Sequence, residues 1–375
     1  LFIVTNTSKV KTMIKSEPDR KRSKDLGIDL KTIKLFEKIA KAVAPPPIMT
    51  VSQWADAERR LSAESSAEAG RWNTDRAPYQ REILDAVNNP ECEEVVIMSS
   101  AQVGKTELIL NTIGYYIDYD PAPILVVNPT IEMAQTFSKD RLAPMIRDTP
   151  ALRGKVRDAK SKNSGNTILH KQFPGGHITM AGANSPASLA SRPIRIALMD
   201  EIDRYPASAG TEGNPIKLAE KRTTTFWNRK KIKVSTPTIK GQSQIEAEFL
   251  SGSQEEWCVP CPCCGKYQSY EWGRIHFSDV TMECKFCGEH ISEVDWKQQK
   301  GKYIAKFPDR KRKRSFHLNE LASPWKHWEE IIREFREAQK ELKENGDINK
   351  MKTWINTTLG ETWEERGKSA DDDSI

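Results

Sequence analysis

Ser99-Ser100-Ala101-Gln102-Val103-Gly104-Lys105-Thr106 is the stretch whose reading decides the fold. The apolar residues Val95, Val96, Ile97 and Met98 lead into it, and residues 107–110 continue it as a helix-forming run. Strand, tight turn, Lys-Thr and helix start together describe a phosphate-binding loop. In such a loop the backbone N–H groups of Ser100, Gln102, Val103 and Gly104 turn toward the phosphates. Lys105 brings a point charge to the β and γ oxygens, and the Thr106 hydroxyl offers a ligand to Mg²⁺. Ser99 stands where G-x-x-x-x-G-K-T begins with glycine, so the loop alone leaves an ordinary βα turn open. A second apolar run, residues 194–199, ends in Asp200-Glu201. Asp200 suits Mg²⁺ held through water, and Glu201 suits polarising an attacking water. The two pieces in one chain predict ATP and Mg²⁺ as cofactors and hydrolysis as the chemistry.

Around the loop, short apolar runs at 94–98, 124–127, 194–199 and 231–235 alternate with helical patterns at 105–116 and 131–146. Residues 168–179, broken at Pro174-Gly175-Gly176, read as a hairpin. Buried strands separated by helices predict an α/β fold, a mostly parallel sheet flanked by helices, of the P-loop NTPase (ASCE) type. Ligands of such sheets sit at the carboxyl ends of the strands. The loop, Asn128-Pro129-Thr130, Asp200-Glu201 and Ser235-Thr236-Pro237 all fall there.

The chain has 375 residues, 29% of them charged, and a mean hydropathy of −0.64. No apolar run reaches the roughly 18–20 residues of a membrane span, and the initial L-F-I-V is short for a signal-peptide core. Position 1 is Leu rather than Met, which reads as a fragment or a processed product. Net charge is +6, unevenly spread: residues 9–41 hold eleven basic and five acidic side chains, and Arg310-Lys311-Arg312-Lys313-Arg314 is an unbroken basic run. Both suit phosphate backbones, and charge alone leaves a solvated tail and a charged loop equally open. Four segments follow: a basic helical arm over 1–47 ending at Pro45-Pro46-Pro47, an ATPase core over 48–253, a cysteine-rich insertion over 254–292, and a charged helical segment over 293–375.

Cys261 and Cys264 form one C-x₂-C pair, Cys284 and Cys287 another, with nineteen residues between the pairs. That spacing predicts a four-thiolate Zn²⁺ site in a zinc ribbon, closed to water and therefore structural. Gly265 and Gly288 follow the second Cys of each pair and free the turn to aim its sulfurs. Cys258-Val259-Pro260-Cys261 is a rival C-x₂-C, and Cys264 is preferred because it gives C-x₂-C-G at both pairs. The sequence favours scaffold over DNA recognition as the role of the ribbon.

Read in order, A-P-Y-Q (77–80), S-S-A-Q-V-G-K-T-E, A-G-A-N-S-P-A-S-L-A-S-R-P-I-R, A-L-M-D-E-I-D-R-Y-P, V-S-T-P-T, the two cysteine pairs, L-N-E-L-A-S-P-W (318–325) and T-W-I-N-T-T-L-G-E-T-W (353–363) resemble a terminase, the large subunit of the tailed-phage DNA-packaging motor, in its lambda-like GpA type. The resemblance covers about residues 50 to 365. It implies an N-terminal packaging ATPase and a C-terminal nuclease of ribonuclease-H-like fold. By resemblance, Tyr79 and Gln80 recognise adenine, Ser235, Thr236 and Pro237 couple hydrolysis to DNA movement, and Arg192, eight residues before Asp200, is an arginine finger, with Arg195 its rival. Partners implied are double-stranded phage DNA, a small terminase subunit, the portal of the procapsid and further copies in a ring, in the host bacterial cytoplasm with no membrane role. The arm over 1–47 suits docking of the small subunit or contact with DNA, and the same analogy favours the former. Residues after the ribbon read as helix and tail, without the inward carboxylates of a two-metal nuclease, so the nuclease is expected to be missing. A helicase-like DNA remodeller and a non-hydrolysing zinc DNA-binding module with a nucleotide switch are the alternatives.

Overall fold

The computed structural model describes residues 49–365 apart from 65, 67, 157–165, 187–188 and 190–191, together with the isolated positions 32 and 35. The basic arm therefore lies outside the described residues, and the chain divides into a unit of Leu1–Met49 and one of Thr50–Ile375. In the larger unit Thr50 caps the helix Val51–Glu58, its side chain accepting from Gln53 N–H while Gln53 returns to Thr50 N–H. A small two-stranded ribbon follows, β1 (Arg60–Leu61) and β2 (Gly70–Arg71), and then the helix Tyr79–Val87.

The main sheet is built from β3 (Glu94–Ser99), β4 (Ile124–Asn128), β5 (His170–Phe173), β6 (Gly176–Gly182), β7 (Ile196–Asp200), β8 (Lys230–Ser235), β9 (Glu255–Pro260) and β10 (Tyr267–Ser269). A separate three-stranded sheet, β11 (Ile275–His276), β12 (Thr281–Glu283) and β13 (His290–Ser292), belongs to the cysteine-rich segment. β14 (Lys302–Ala305) and β15 (Lys313–Leu318) then return to the main sheet, which has ten strands in the order β10-β9-β15-β3-β8-β7-β4-β6-β5 with β14 also on β9. Every pair from β9 through β15, β3, β8, β7 and β4 to β6 is parallel, and the antiparallel pairs are confined to the two edges. The expected α/β fold is thus present, with the hairpin at residues 168–179 in its expected place as β5 and β6. Fully buried strands explain the apolar runs. Val95, Val96, Ile124, Val126, Val127, Ala197, Leu198 and Met199 are each at most 2% exposed, and the helix Lys105–Asp118 buries Leu108, Ile109, Ile113 and Tyr116.

β15 departs from the sequence reading. The segment after the ribbon, expected to be helical, places a parallel strand directly beside β3. The basic run is engaged by this placement. Arg312 pairs with Glu93, Lys313 with Glu248 and Arg314 with Glu255, Lys311 pairs with Glu91 at 3.6 Å, and Arg310 donates to the carbonyls of Leu250 and Gly252. These contacts offset part of the charge of the run, while Lys311 and Arg312 stay 66% and 75% exposed. Among the described residues no helix is long and apolar enough to cross a membrane.

Candidate active site

The parallel strands end on one side, and the residues singled out from the sequence converge there. β8 lies between β3, which carries the loop, and β7, which carries Asp200. The loop leaves β3 and turns through left-handed residues at Gln102 (φ 57°) and Gly104 (φ 87°), and Gly104 stands as the cap of the helix that begins at Lys105. Ser99 needs no left-handed backbone, which is why a side chain is tolerated where glycine is usual; it is fully buried. Gly104 is fixed twice over, because a Cβ there would meet Gln80 Nε2 at 2.2 Å as well as the strain of positive φ.

Lys105 crosses from the loop to the other two strands. Its Nζ donates to Thr236 Oγ1 and lies 3.2 Å from Glu201 Oε1. Ser235 Oγ reaches Glu201 Oε2 at 3.5 Å and accepts from Asp203 N–H at 3.2 Å. Lys105, Glu201, Ser235 and Thr236 therefore form one constellation. Glu201 holds a left-handed backbone (φ 53°), rare for a non-glycine residue and costing about 1–2 kcal/mol. The turn is anchored behind it by Asp203, which accepts from Ile245 N–H and Thr238 Oγ1 at 2.7 and 2.9 Å. Burial pushes the Asp200 carboxyl up to about 7, and the adjacent Glu201 charge adds to the rise. Two neighbouring carboxylates beside a Lys-Thr loop fit a divalent cation, which would relieve that repulsion; Thr106 is the second residue of the helix that follows the loop.

The adenine pair is placed differently from its assignment. Tyr79 is 1% exposed, packs edge-on against Trp257 with ring centroids 6.2 Å apart, and leaves its hydroxyl without a partner. Its ring is core and has no free face on which a base could stack. Gln80 is fully buried and donates Nε2 to the Val103 carbonyl at 3.1 Å, so its amide supports the loop, with Oε1 left unpaired.

Neither arginine reaches Lys105. Arg192 Nη1 is 3.1 Å from His170 Nε2 on β5. His170 is in register, through Thr179, Leu125, Ala197 and Lys231, with Glu94 at the amino end of β3. Five strand spacings, on the order of 24 Å, separate it from the loop strand, and it stands toward the wrong end. Arg195 pairs with Asp120 at 2.6 Å and lies over the Tyr116 ring at 5.5 Å, a structural role. Sequence spacing gave no sign of the end of the sheet on which either would fall. The arginine beside the site is Arg204, 3.9 Å from Glu201 Oε2 and 65% exposed, which sequence reasoning passed over although it lies three residues past Glu201.

The four sulfurs of Cys261, Cys264, Cys284 and Cys287 lie within 4.8 Å of one another. Backbone N–H groups of Cys263 and Cys264 point at Cys261 Sγ, and that of Phe286 at Cys284 Sγ, a pattern suited to thiolates. The rival Cys258 sits in β9 opposite Lys302 and Ser269 and outside the cluster. Four soft donors at these separations can hold a metal ion, with no place left for water.

Comparison with known proteins supplies a family. The model described as phage terminase large subunit gpA, ATPase domain, matches residues 66–303, and one described as terminase large subunit gpA, endonuclease domain, matches residues 313–375. The large terminase subunit of Enterobacteria phage P21 is 31% identical over 356 residues, covering 86% of this chain and 54% of that protein. That of Escherichia phage lambda is 29% identical over 354 residues, covering 85% and 53%. The chain thus spans about half the length of the curated relatives it matches. Among solved structures, the large terminase ATPase domain of Thermus phage P74-26 is similar at 14% identity and a TM-score of 0.42, over 80% of this chain and 99% of that one. The endonuclease match corrects the expectation that the nuclease is missing. That expectation rested on reading the residues after the ribbon as helix and tail, and residues 313–318 of the matched range are a strand beside the loop strand instead.

Proposed function

The chain belongs to the gpA family of phage terminase large subunits, and from that premise we propose that it is the ATP-hydrolysing motor part of a terminase that drives double-stranded phage DNA into a procapsid. The observation that carries the reading is the meeting of Lys105, Thr236 and Glu201 at the carboxyl ends of three adjacent strands. A P-loop NTPase of the ASCE type is supported by the interposition of β8 between the loop strand and the Asp200 strand. In this reading the amides of residues 102–104 and Lys105 hold the phosphates, the expected Ser100 amide being taken by the Leu318 carbonyl, and Thr106 and Asp200 hold Mg²⁺, which when bound neutralises charge on the transferring phosphoryl. Glu201 orients and deprotonates the attacking water, and its contact with Lys105 keeps it poised until the γ-phosphate competes for the lysine. Ser235 and Thr236 touch Glu201 and Lys105 respectively, so β8 senses which partner each has, the basis for a coupling role of Ser235, Thr236 and Pro237.

Zn²⁺ at the four cysteines is the proposed structural metal of the ribbon, and residues 48–253 with this insertion are the proposed motor unit. Gln80 is proposed as a support of the loop in place of a base contact. Arg192 retains one route to the reaction, as a finger offered to the nucleotide of a neighbouring copy in a ring. Arg192→Ala would then lower the assembled rate and spare the isolated one; equal loss in both would remove it from that role. Small terminase subunit, portal and DNA are the proposed partners, in the host cytoplasm.

Phosphate release from ATP, with and without long linear duplex DNA, tests the reading in the parent beside Glu201→Ala and Lys105→Ala. Hydrolysis that needs both residues and rises with DNA supports a motor. Parental hydrolysis in Lys105→Ala would show that the site is misassigned, and strand separation on a forked duplex would favour a helicase.

A further inference from the structure

Residues 355–363, which fall in the range of the endonuclease-domain match, run across the top of the nucleotide site. The Thr357 carbonyl accepts from Ala101 N–H at 2.7 Å, and the Leu318 carbonyl, at the end of β15, accepts from Ser100 N–H at 2.9 Å. The first half of the phosphate loop is thus held by one carbonyl of that segment and one of β15. Gly360 (φ 65°) lies so close that a Cβ would stand 2.6 Å from Ser100 N and 2.8 Å from Ser99 C, so the backbone of the segment rests directly on the loop. His317 Nε2 joins β15 to the same stretch, 3.2 and 3.1 Å from the carbonyls of Leu359 and Gly360.

The other side of the segment is tied to the residues after Ser235-Thr236-Pro237. Trp363 N–H donates to the Thr238 carbonyl at 2.8 Å, and Lys240 N–H donates to the Trp363 carbonyl at 3.0 Å. Asn356 is the pivot, its Nδ2 donating to the carbonyls of Thr238 and Glu361 at 2.6 and 2.8 Å. Thr238 in turn donates to Asp203, the anchor of the Glu201 turn. Loop, Glu201 turn and the exit of β8 are therefore connected through one nine-residue strap.

We propose that residues 355–363 are a positioning element for the nucleotide, with Asn356 its key side chain, through which occupancy of the phosphate loop is passed to the chain beyond Trp363. The inference rests on the ATPase reading above. Phosphate entering the loop draws the amides of residues 102–106 inward. Ser100 and Ala101, bonded to Leu318 and Thr357, cannot follow without moving the strap, and the strap cannot move without shifting Thr238 and Asp203. A mere surface tail would show none of this.

The test is amide hydrogen exchange on the full chain with Mg²⁺ and AMP-PNP, together with steady-state kinetics of Asn356→Asp. That variant keeps the side-chain shape but sets a carboxylate against two carbonyl oxygens. We expect slowed exchange at residues 100–106 and at residues 355–363 together, and a KM for ATP raised about tenfold in Asn356→Asp with kcat within about twofold. Asn356→Gln, which restores the donor, should recover part of the loss. Protection confined to residues 100–106, or a parental KM in a folded Asn356→Asp, would overturn the proposal while leaving the ATPase reading intact. No protection at either place, with no hydrolysis, would overturn that reading and the proposal with it. If Asn356→Asp fails to fold, the exchange pattern of the parent decides alone.

Discussion

Lys233 offers the sharpest quantitative test of how this sheet is held. It sits in the middle of β8 with its side chain fully buried, and its Nζ faces Glu220 at 2.5 Å, Glu248 at 2.8 Å and Glu94 at 3.3 Å. Lys231, Lys313 and Lys217 touch the same carboxylates, each at one edge of the group. Lys233→Met keeps the aliphatic stem and deletes the only cation at the centre. Removing one member of a buried ion group costs about 3–5 kcal/mol where the partners stay buried with charge uncompensated, and here the edge lysines offset only part of that charge. The variant should therefore unfold in urea with a deficit of about 4 kcal/mol at pH 8. Replacing Glu220 and Glu248 by Gln in the same chain should recover most of it, since the unpaired charges then go too.

The pH dependence fixes the cause. In the parent the carboxylates hold the Lys233 ammonium well above its ordinary range, so its contribution is present below the unfolded value of 10.5 and fades only as pH rises past the folded one. Glu248, with Lys233 beside it, is held down to about 2, so its contribution is present above 4.5 and lost as pH falls toward 2. Between pH 5 and 9 these two terms are flat. Without Lys233 the folded-state carboxyls rise, the folded form takes up protons first, and acidification restores stability. The deficit should shrink to about half between pH 8 and pH 5. A loss below about 1 kcal/mol at pH 8, or one equal at both pH values, would refute the account of the sheet as held by this lattice.

Further outcomes follow from the site. Gly104→Ala combines positive φ with a Cβ 2.2 Å from Gln80 Nε2, so nucleotide binding measured by calorimetry should be lost; retention within threefold would mean the loop is not the site. Because the Asp200 carboxyl is raised to about 7, Mg²⁺-nucleotide affinity should rise from pH 6 to pH 8 as it ionises, and metal-free stability should fall over the same window, with Asp200→Asn flattening both curves. Atomic emission should find one zinc per chain in the parent and in Cys258→Ser and none in Cys264→Ala, and stripping the metal should unfold the ribbon with a loss on the order of 10 kcal/mol; full zinc in Cys264→Ala would break the ligand assignment.

What was legible in the sequence was chemistry that acts within a few residues of itself. Gly104 and Lys105 announce a loop because a left-handed turn and a point charge are needed side by side, and Asp200-Glu201 announces a strand end because two carboxylates cannot sit inside a sheet. Spacing left Cys258 as a rival in the cysteine register, and the repeated C-x₂-C-G form pointed to the four sulfurs that do lie together. The readings that failed concern partners far away in the chain. Arg314 reads as a free cation until Glu255 is seen 2.6 Å away, fifty-nine residues earlier. Arg192 reads as a finger from its spacing to Asp200, and its place beside His170 on β5 leaves that role only to a neighbouring copy's nucleotide. Tyr79-Gln80 reads as a base contact, whereas helix packing turns one residue into core and the other into a brace for the loop.

β15 was missed for the same reason, and it also carries the functional consequence. A strand rich in charge was hidden because its charges are cancelled by Glu94, Glu248 and Glu255 across the sheet. Once β15 is placed beside β3, the boundary between the two family matches falls inside a single sheet, just ahead of the carbonyl that holds Ser100. A segment matched to the endonuclease domain thus completes the support of a phosphate loop matched to the ATPase domain. Any movement of the loop is delivered to that segment by hydrogen bonds of 2.7–2.9 Å, without a lever or hinge in between. The two matched regions are thus joined by backbone hydrogen bonds inside one sheet, so the loop cannot shift without displacing the segment that follows β15.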